Sequence, residues 1–250
     1  MTDFQQKIIL VTGASTGVGE GIARELLKRG AKVAITGRNP EHLQKAINEW
    51  DPTGYSVLAI EADVRKSIDC RRMVSTVLDK FGALHGLVNN AGITGPHGVK
   101  IADYDAEAWQ DVMDTDVTGT FLGMKFGIPA IIKSGGGAIV NLSACNGVTG
   151  IAGIAPYTAA KHAVLGLTRA AALEYAEQGV RINAVGPGYV ATPAILALPQ
   201  DVQTMMAESH PMKRMATREE VAKMVAFLLS DDSRFCTGGF YPVDGGYTAQ

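Results

Sequence analysis

Apolar residues along this chain fall into short unbroken runs separated by longer stretches at helical spacing. Seven runs read as strands: KIILVT (7–12), KVAIT (32–36), SVLAIEA (56–62), HGLVNN (85–90), AIVNLS (138–143), RINAV (181–185) and GFYPV (239–243). Most are continuously apolar rather than alternating, the pattern of strands covered on both faces. Between the first two, residues 20–29 put Ile22, Ala23, Leu26 and Leu27 on one helical face, and Gly30 follows as a stop. Asn39 and Pro40 pair an N-cap with a first-turn residue for a helix over 40–50. Further helices fit 67–80, 105–132, 157–177 and 218–229. Strand, helix, strand, repeated in this way, predicts an α/β fold with a doubly wound, seven-stranded parallel sheet, right-handed crossovers and helices on both faces.

Composition narrows the class. The 250 residues are 46% hydrophobic and 19% charged, with a formal net charge of −2. This balance offers no electrostatic footprint for nucleic acid or an anionic membrane. No Pro- or Ser-rich linker divides the chain, so a single domain over 1–250 is expected. The N-terminus lacks a basic start and a long apolar stretch, and no run of about 18 apolar residues occurs. Three cysteines, Cys70, Cys145 and Cys236, lack metal-ligand spacing and read as reduced thiols in a cytoplasmic protein, with no metal site.

The first strand runs straight into TGASTGVGEG, residues 12–21. Gly13, Gly17 and Gly19 permit positive φ and close backbone approach. The helix start that follows offers free N–H groups and the positive end of a dipole, both suited to a pyrophosphate. The spacing differs from the common G-x-G-x-x-G fingerprint, but its place after the first strand of a βαβ unit points to a dinucleotide. At the end of the second strand, where an acidic residue would hold a ribose 2′-hydroxyl, the chain has Gly37 and Arg38. A guanidinium suits a 2′-phosphate, so NADP(H) is expected over NAD(H).

Tyr157 and Lys161, four apart, share one helical face. A free tyrosine, with a pKa of about 10, is a poor acid or base at neutral pH. A nearby ammonium favours its phenolate and makes it a candidate proton donor and acceptor. These motifs do not stand alone. The Thr12–Gly19 turn, Asp63-Val64, Asn89-Asn90-Ala91-Gly92, Tyr157-x-x-x-Lys161, Pro187-Gly188 with Thr192, and Asp244-Gly245-Gly246 occur in that order. Together they resemble the short-chain dehydrogenase/reductase family over nearly the whole chain.

The resemblance implies a Rossmann-type fold and hydride transfer between a nicotinamide and a ketone or secondary alcohol. Ser15, Thr16 and Val18 would surround the diphosphate turn shaped by Gly13, Gly17 and Gly19. Asp63 and Val64 would flank adenine, and Asn90 and Ala91 would lie along the cofactor. Lys161 would hold the nicotinamide ribose and tune Tyr157, Val190 and Thr192 would orient the nicotinamide carboxamide, and Pro187 and Gly188 before them would also bind the cofactor. Asn89 would tie neighbouring strands together. A homotetramer, or failing that a homodimer, is also implied.

Two positions depart from the family pattern. Ala144 stands thirteen residues before Tyr157, where the family has a serine that binds the substrate oxygen. Ser143, one residue early, would face the opposite side of an extended strand unless a bulge turned it. Asp116 replaces the family's asparagine and brings a charge near Lys161. Losing one donor to a reacting oxygen costs about 10²–10³ in rate. Two readings follow: an active reductase with Tyr157, Lys161 and Asp116 and with Ser143 or another donor completing its catalytic set, or a cofactor-binding protein impaired or silent in catalysis, acting as a sensor or structural subunit. The segment 193–215, with Ile195, Leu196, Leu198, Met205, Met206 and Met212, suits a lid over an apolar small-molecule substrate.

Overall fold

The computed structural model describes residues 3–51 and 53–250. Its strands are β1 (Ile8–Val11), β2 (Lys32–Gly37), β3 (Val57–Glu61), β4 (Gly86–Asn89), β5 (Gly137–Leu142), β6 (Val180–Pro187) and β7 (Phe240–Val243). They form one sheet in the order β3-β2-β1-β4-β5-β6-β7, and every pairing is parallel. Parallel neighbours need crossovers. These are α1 (Gly17–Lys28), α2 (Pro40–Trp50), α3 (Ser67–Phe81), the pair α4 (Ala106–Val112) and α5 (Gly119–Lys133), α6 (Ala155–Tyr175), and a last crossover that contains α7 (Pro193–Leu196), α8 (Gln200–Glu208) and α9 (Arg218–Leu229). The fold is the Rossmann-type doubly wound sheet that the pattern predicts.

The two faces of β1 explain its unbroken apolar run. Ile9 and Val11 join a core with Ile22 and Leu26 of α1 and Val225 and Leu228 of α9. Ile8 and Leu10 point the other way, into a core with Met73 and Val77 of α3 and Ile128 and Ile131 of α5. Each fully buried Ile or Leu contributes about 1.5–3 kcal/mol relative to exposure. Close helix packing draws on small residues. A Cβ on Gly21 of α1 would meet Arg218 Cβ of α9 at 2.7 Å, and Arg218 reaches across to Glu20 at 2.8 Å.

Two segments differ from the sequence expectation. The helix expected over 105–132 is interrupted by a π-turn, Met113–Thr118. It continues as α5, which presses Gly119 on Val64 and Gly123 on Asn89. The helices α7 and α8 were not signalled by periodicity, because neither contains a buried residue. No described helix is long and apolar enough to cross a membrane.

Candidate active site

The C-terminal ends of β1, β2 and β4 converge on the glycine turn. Gly13 and Gly17 have φ of 62° and 63°. A Cβ on Gly13 would lie 2.8 Å from Ala91 Cα, and one on Gly19 would lie 2.5 Å from Asn90 Nδ2. Glycine there lets the turn and the segment after β4 press together. Thr12 Oγ1 accepts from the N–H groups of Asn90 and Ala91 at 3.0 and 3.1 Å. Asn90 Nδ2 returns bonds to the carbonyls of Thr12 and Gly13 at 2.9 and 3.0 Å. Thr12 was not among the expected site residues; its signal was a lone hydroxyl ending an apolar strand at the turn.

Beside the turn lies a cleft of about 540 Å³. It gathers Gly13, Ser15, Thr16, Val18, Arg38, Asp63, Val64, Asn90 and Ala91, as expected, and adds Thr36, Ile93 and Thr115. A second cavity of about 410 Å³ shares Ser15 and Thr16 with it and adds Gly17 and Thr192. The chemistry of this lining fits a dinucleotide. The N-cap Thr16 makes no side-chain cap bond, leaving first-turn N–H groups of α1 free for an anion. Thr36 Oγ1 is buried without a partner. Arg38 is exposed at the end of β2 and forms no ion pair among the described residues. Asp63 is already engaged: its hydrogen bonds from Arg65, one at 2.7 Å, hold its carboxyl below the usual range, against the opposing effect of burial.

The end of β6 positions the remaining expected residues by backbone contacts. Pro187 pairs with Val243, and the Gly188 N–H donates to Val243 O at 3.2 Å. Val190 bridges to Ala216, and Thr192 caps α7 by accepting from Ile195 N at 3.4 Å. His210, which no sequence pattern marked, is buried below this segment and accepts from Tyr189 N at 3.1 Å through Nε2.

Tyr157 and Lys161 lie on the first turns of α6 and reach the cleft through Asp116. Lys161 Nζ is 2.9 Å from Asp116 Oδ2, with side chains 5% and 0% exposed. It also donates to Leu142 O at 3.0 Å and lies 5.2 Å from the Tyr157 ring centroid. Asp116 Oδ1 accepts from the N–H of Ile93, a cleft residue, at 2.8 Å. Burial disfavours the Lys161 ammonium, yet Asp116 and then Tyr157 hold its pKa above the ordinary lysine value. For Tyr157 burial raises the pKa and outweighs the downward pull of Lys161, with Asp116 adding to the rise. The lowered phenol expected from the lysine alone is therefore corrected: the net direction is upward.

The structure turns Ser143 away from the role of substrate donor. Its N–H donates to Val185 O at 2.9 Å, continuing the ladder past β5 with no bulge. Its hydroxyl, buried, donates to the carbonyl of Lys161 at 2.9 Å. Ala144 is extended, with φ −161° and ψ 174°, and so faces the other way. Next to it, burial pushes the Cys145 thiol up to about 11, and Asn146 Nδ2 makes one long bond to Thr158 Oγ1 at 3.4 Å. Asn89 Nδ2 donates to Asn141 Oδ1 at 2.8 Å, tying β4 to β5.

A dinucleotide-sized cleft at the carboxyl ends of a parallel sheet, flanked by a tyrosine and a buried lysine, defines an oxidoreductase of the nicotinamide-dependent alcohol and carbonyl class. Comparison with known proteins agrees. The family model described as Enoyl-(Acyl carrier protein) reductase matches residues 13–248. The chain is 42% identical over 247 residues to cyclohexanol dehydrogenase of Acinetobacter sp. (strain SE19), covering 99% of this chain and 97% of that one. It is 40% identical to cis-4-hydroxycyclohexanecarboxylate dehydrogenase of Sinomonas cyclohexanicum, covering 98% of each. The crystal structure of levodione reductase superposes with a TM-score of 0.92 at 33% identity, covering 98% and 99% of the two chains. This chain belongs to the short-chain dehydrogenase/reductase family.

Proposed function

We propose that this protein interconverts an apolar, cyclic secondary alcohol and its ketone with NADP(H), Tyr157 moving the proton. The observation that carries the reading is the cluster of half-buried Tyr157 with buried Lys161 and Asp116 at the edge of the glycine-turn cleft. When bound, the nicotinamide supplies or accepts the hydride. In reduction the Tyr157 phenol gives its proton to the oxygen of the former carbonyl; in oxidation its phenolate takes the hydroxyl proton. Lys161 holds the ribose and supplies the neighbouring positive charge. The open N–H groups of α1 bind the diphosphate, and Asp63, Val64, Asn90 and Ala91 line the adenosine side. Val190 and Thr192 meet the carboxamide.

The preference for NADP(H) rests on the unpaired Arg38 beside Gly37. The substrate class rests on two supports. One is the exposed apolar side chains of segment 193–215, Leu196, Leu198, Met205 and Met212, which form the lid of a single domain spanning the chain. The other is the cyclohexane-ring alcohols named for the two relatives. A homotetramer or homodimer in the cytoplasm completes the reading.

A second reading, a cofactor-binding protein with impaired turnover, is favoured by one specific observation. Ala144 lacks the family's hydroxyl, and the hydroxyl of the adjacent Ser143 is committed to the Lys161 carbonyl. The test is turnover of a panel of cyclic and acyclic alcohols and ketones with NADP(H) and NAD(H), alongside Tyr157→Phe. Loss of about 10²–10⁴ in kcat in the variant supports the proton role. Equal rates in the two proteins refute it.

A further inference from the structure

We propose that Asp116 is a positioning residue that offsets the Lys161 charge felt by Tyr157, so that the ion pair, and not the lysine alone, sets the pH at which Tyr157 changes from proton donor to proton acceptor. The inference rests on the reading of Tyr157 as the proton-moving group. It concerns one of the two positions at which this chain departs from the family pattern.

The geometry commits Asp116 to this place. The π-turn Met113–Thr118 interrupts the crossover helix at Asp116, and the side chain is fully buried. One carboxylate oxygen is fixed by Ile93 N–H at 2.8 Å; the other faces Lys161 Nζ at 2.9 Å. A Cβ on Gly92 would lie 2.9 Å from Asp116 Oδ2, so glycine there leaves room for the carboxylate. The ammonium is fixed in turn by Leu142 O. A buried carboxylate costs several kcal/mol in desolvation, which its ion pair only partly offsets, so packing alone does not account for it.

The groups facing Tyr157 come from four elements. Lys161 lies on its own helix, Asp116 on the π-turn, Cys145 on the short turn after β5, and Tyr189 after β6. The Cys145 thiol is pushed up to about 11 and stays neutral near pH 7, and burial raises the Tyr189 phenol as well. Among the described residues set against Tyr157 here, Lys161 and Asp116 are the charged ones, with opposite signs. The isolated lysine would favour the phenolate; the pair leaves a dipole, whose effect at the ring is much weaker.

The test is the pH dependence of kcat/KM for alcohol oxidation in the wild-type protein and Asp116→Asn. It is paired with ultraviolet titration of tyrosinate in the cofactor-free proteins, taking the difference from Tyr157→Phe. Removing the carboxylate is expected to move the ascending limb, and the Tyr157 ionisation, down by about one pH unit. That is about a tenfold rise in oxidation rate at a fixed pH on the limb. A loss of activity at all pH values with an unmoved Tyr157 midpoint, or an unmoved limb, overturns the proposal. Should Asp116→Asn fail to fold, Asp116→Ser takes its place in the same titration. A Tyr157 midpoint below that of the wild-type protein supports the proposal, and an unmoved midpoint overturns it. Because that titration needs no turnover, a protein that oxidises no alcohol defeats the proposed function without deciding this inference.

Discussion

Replacing Ala144 with serine restores one hydroxyl beside the proposed reaction centre, and its effect can be worked out from the geometry. Ala144 is 6% exposed and extended, facing opposite to Ser143, whose hydroxyl is held by the Lys161 carbonyl. The new Oγ would therefore be free to donate to a substrate oxygen. A positioned donor of this kind is worth about 10²–10³ in rate, or about 2.7–4 kcal/mol of transition-state stabilisation. Without substrate the same hydroxyl is nearly buried, and an unpaired buried hydroxyl costs about 1–3 kcal/mol. In a chain of this length each kcal/mol lowers Tm by about 2–4 °C. Ala144→Ser should thus turn over ketones faster and melt earlier, and a bound substrate analogue should recover the melting loss. The assay is NADPH oxidation against a ketone panel with parallel thermal melts, adding Ser143→Ala as a third protein. Comparable rates for wild type and Ala144→Ser would refute the reasoning. If Ser143→Ala then lost activity while keeping its Tm, Ser143 would be the working donor in spite of its bond to α6.

Three further outcomes test other parts of the structure. Arg38→Asp removes the proposed partner of a 2′-phosphate and repels it; the ratio of kcat/KM for NADPH over NADH should fall by about tenfold to hundredfold, and an unchanged ratio sinks the cofactor assignment. Gly123→Ala places a Cβ 2.1 Å from Asn89 Oδ1; it should disturb the Asn89–Asn141 tie and cost about 1–3 kcal/mol, read by denaturant unfolding. Burial alone would raise the Asp51 carboxyl, but hydrogen bonds from the Thr53 hydroxyl and the N–H groups of Ser56 and Val57 hold it below the usual value. A depressed carboxyl stabilises fully above its unfolded value of about 3.9 and loses that contribution as pH falls through the folded value. Asp51→Asn should therefore lower Tm at neutral pH, with the gap to wild type closing in acid; a constant gap refutes the assignment.

The strand runs, the glycine turn and the crossover helices were legible in the sequence because burial on both faces writes an unbroken apolar run, and a strand-to-helix turn writes glycine. Residues such as Arg38, Asp63, Asn90 and Ala91 fall into one cleft because they follow the ends of parallel strands, which must point the same way. What the linear pattern could not carry was direction and partnership. Periodicity predicts a helix over 105–132 but not the π-turn that aims Asp116 inward, since a π-turn adds a residue without changing residue types. The exposed helices of segment 193–215 write no apolar stripe. The bond between the Ser143 hydroxyl and Lys161 joins residues 18 apart, so only the packing of α6 on the end of β5 decided that this hydroxyl serves the helix. The charge on Tyr157 is likewise a tertiary property. Two residues four apart suggest an ammonium acting on a phenol, but the carboxylate that balances it comes from another crossover, and burial, which raises that phenol, is set by the whole fold.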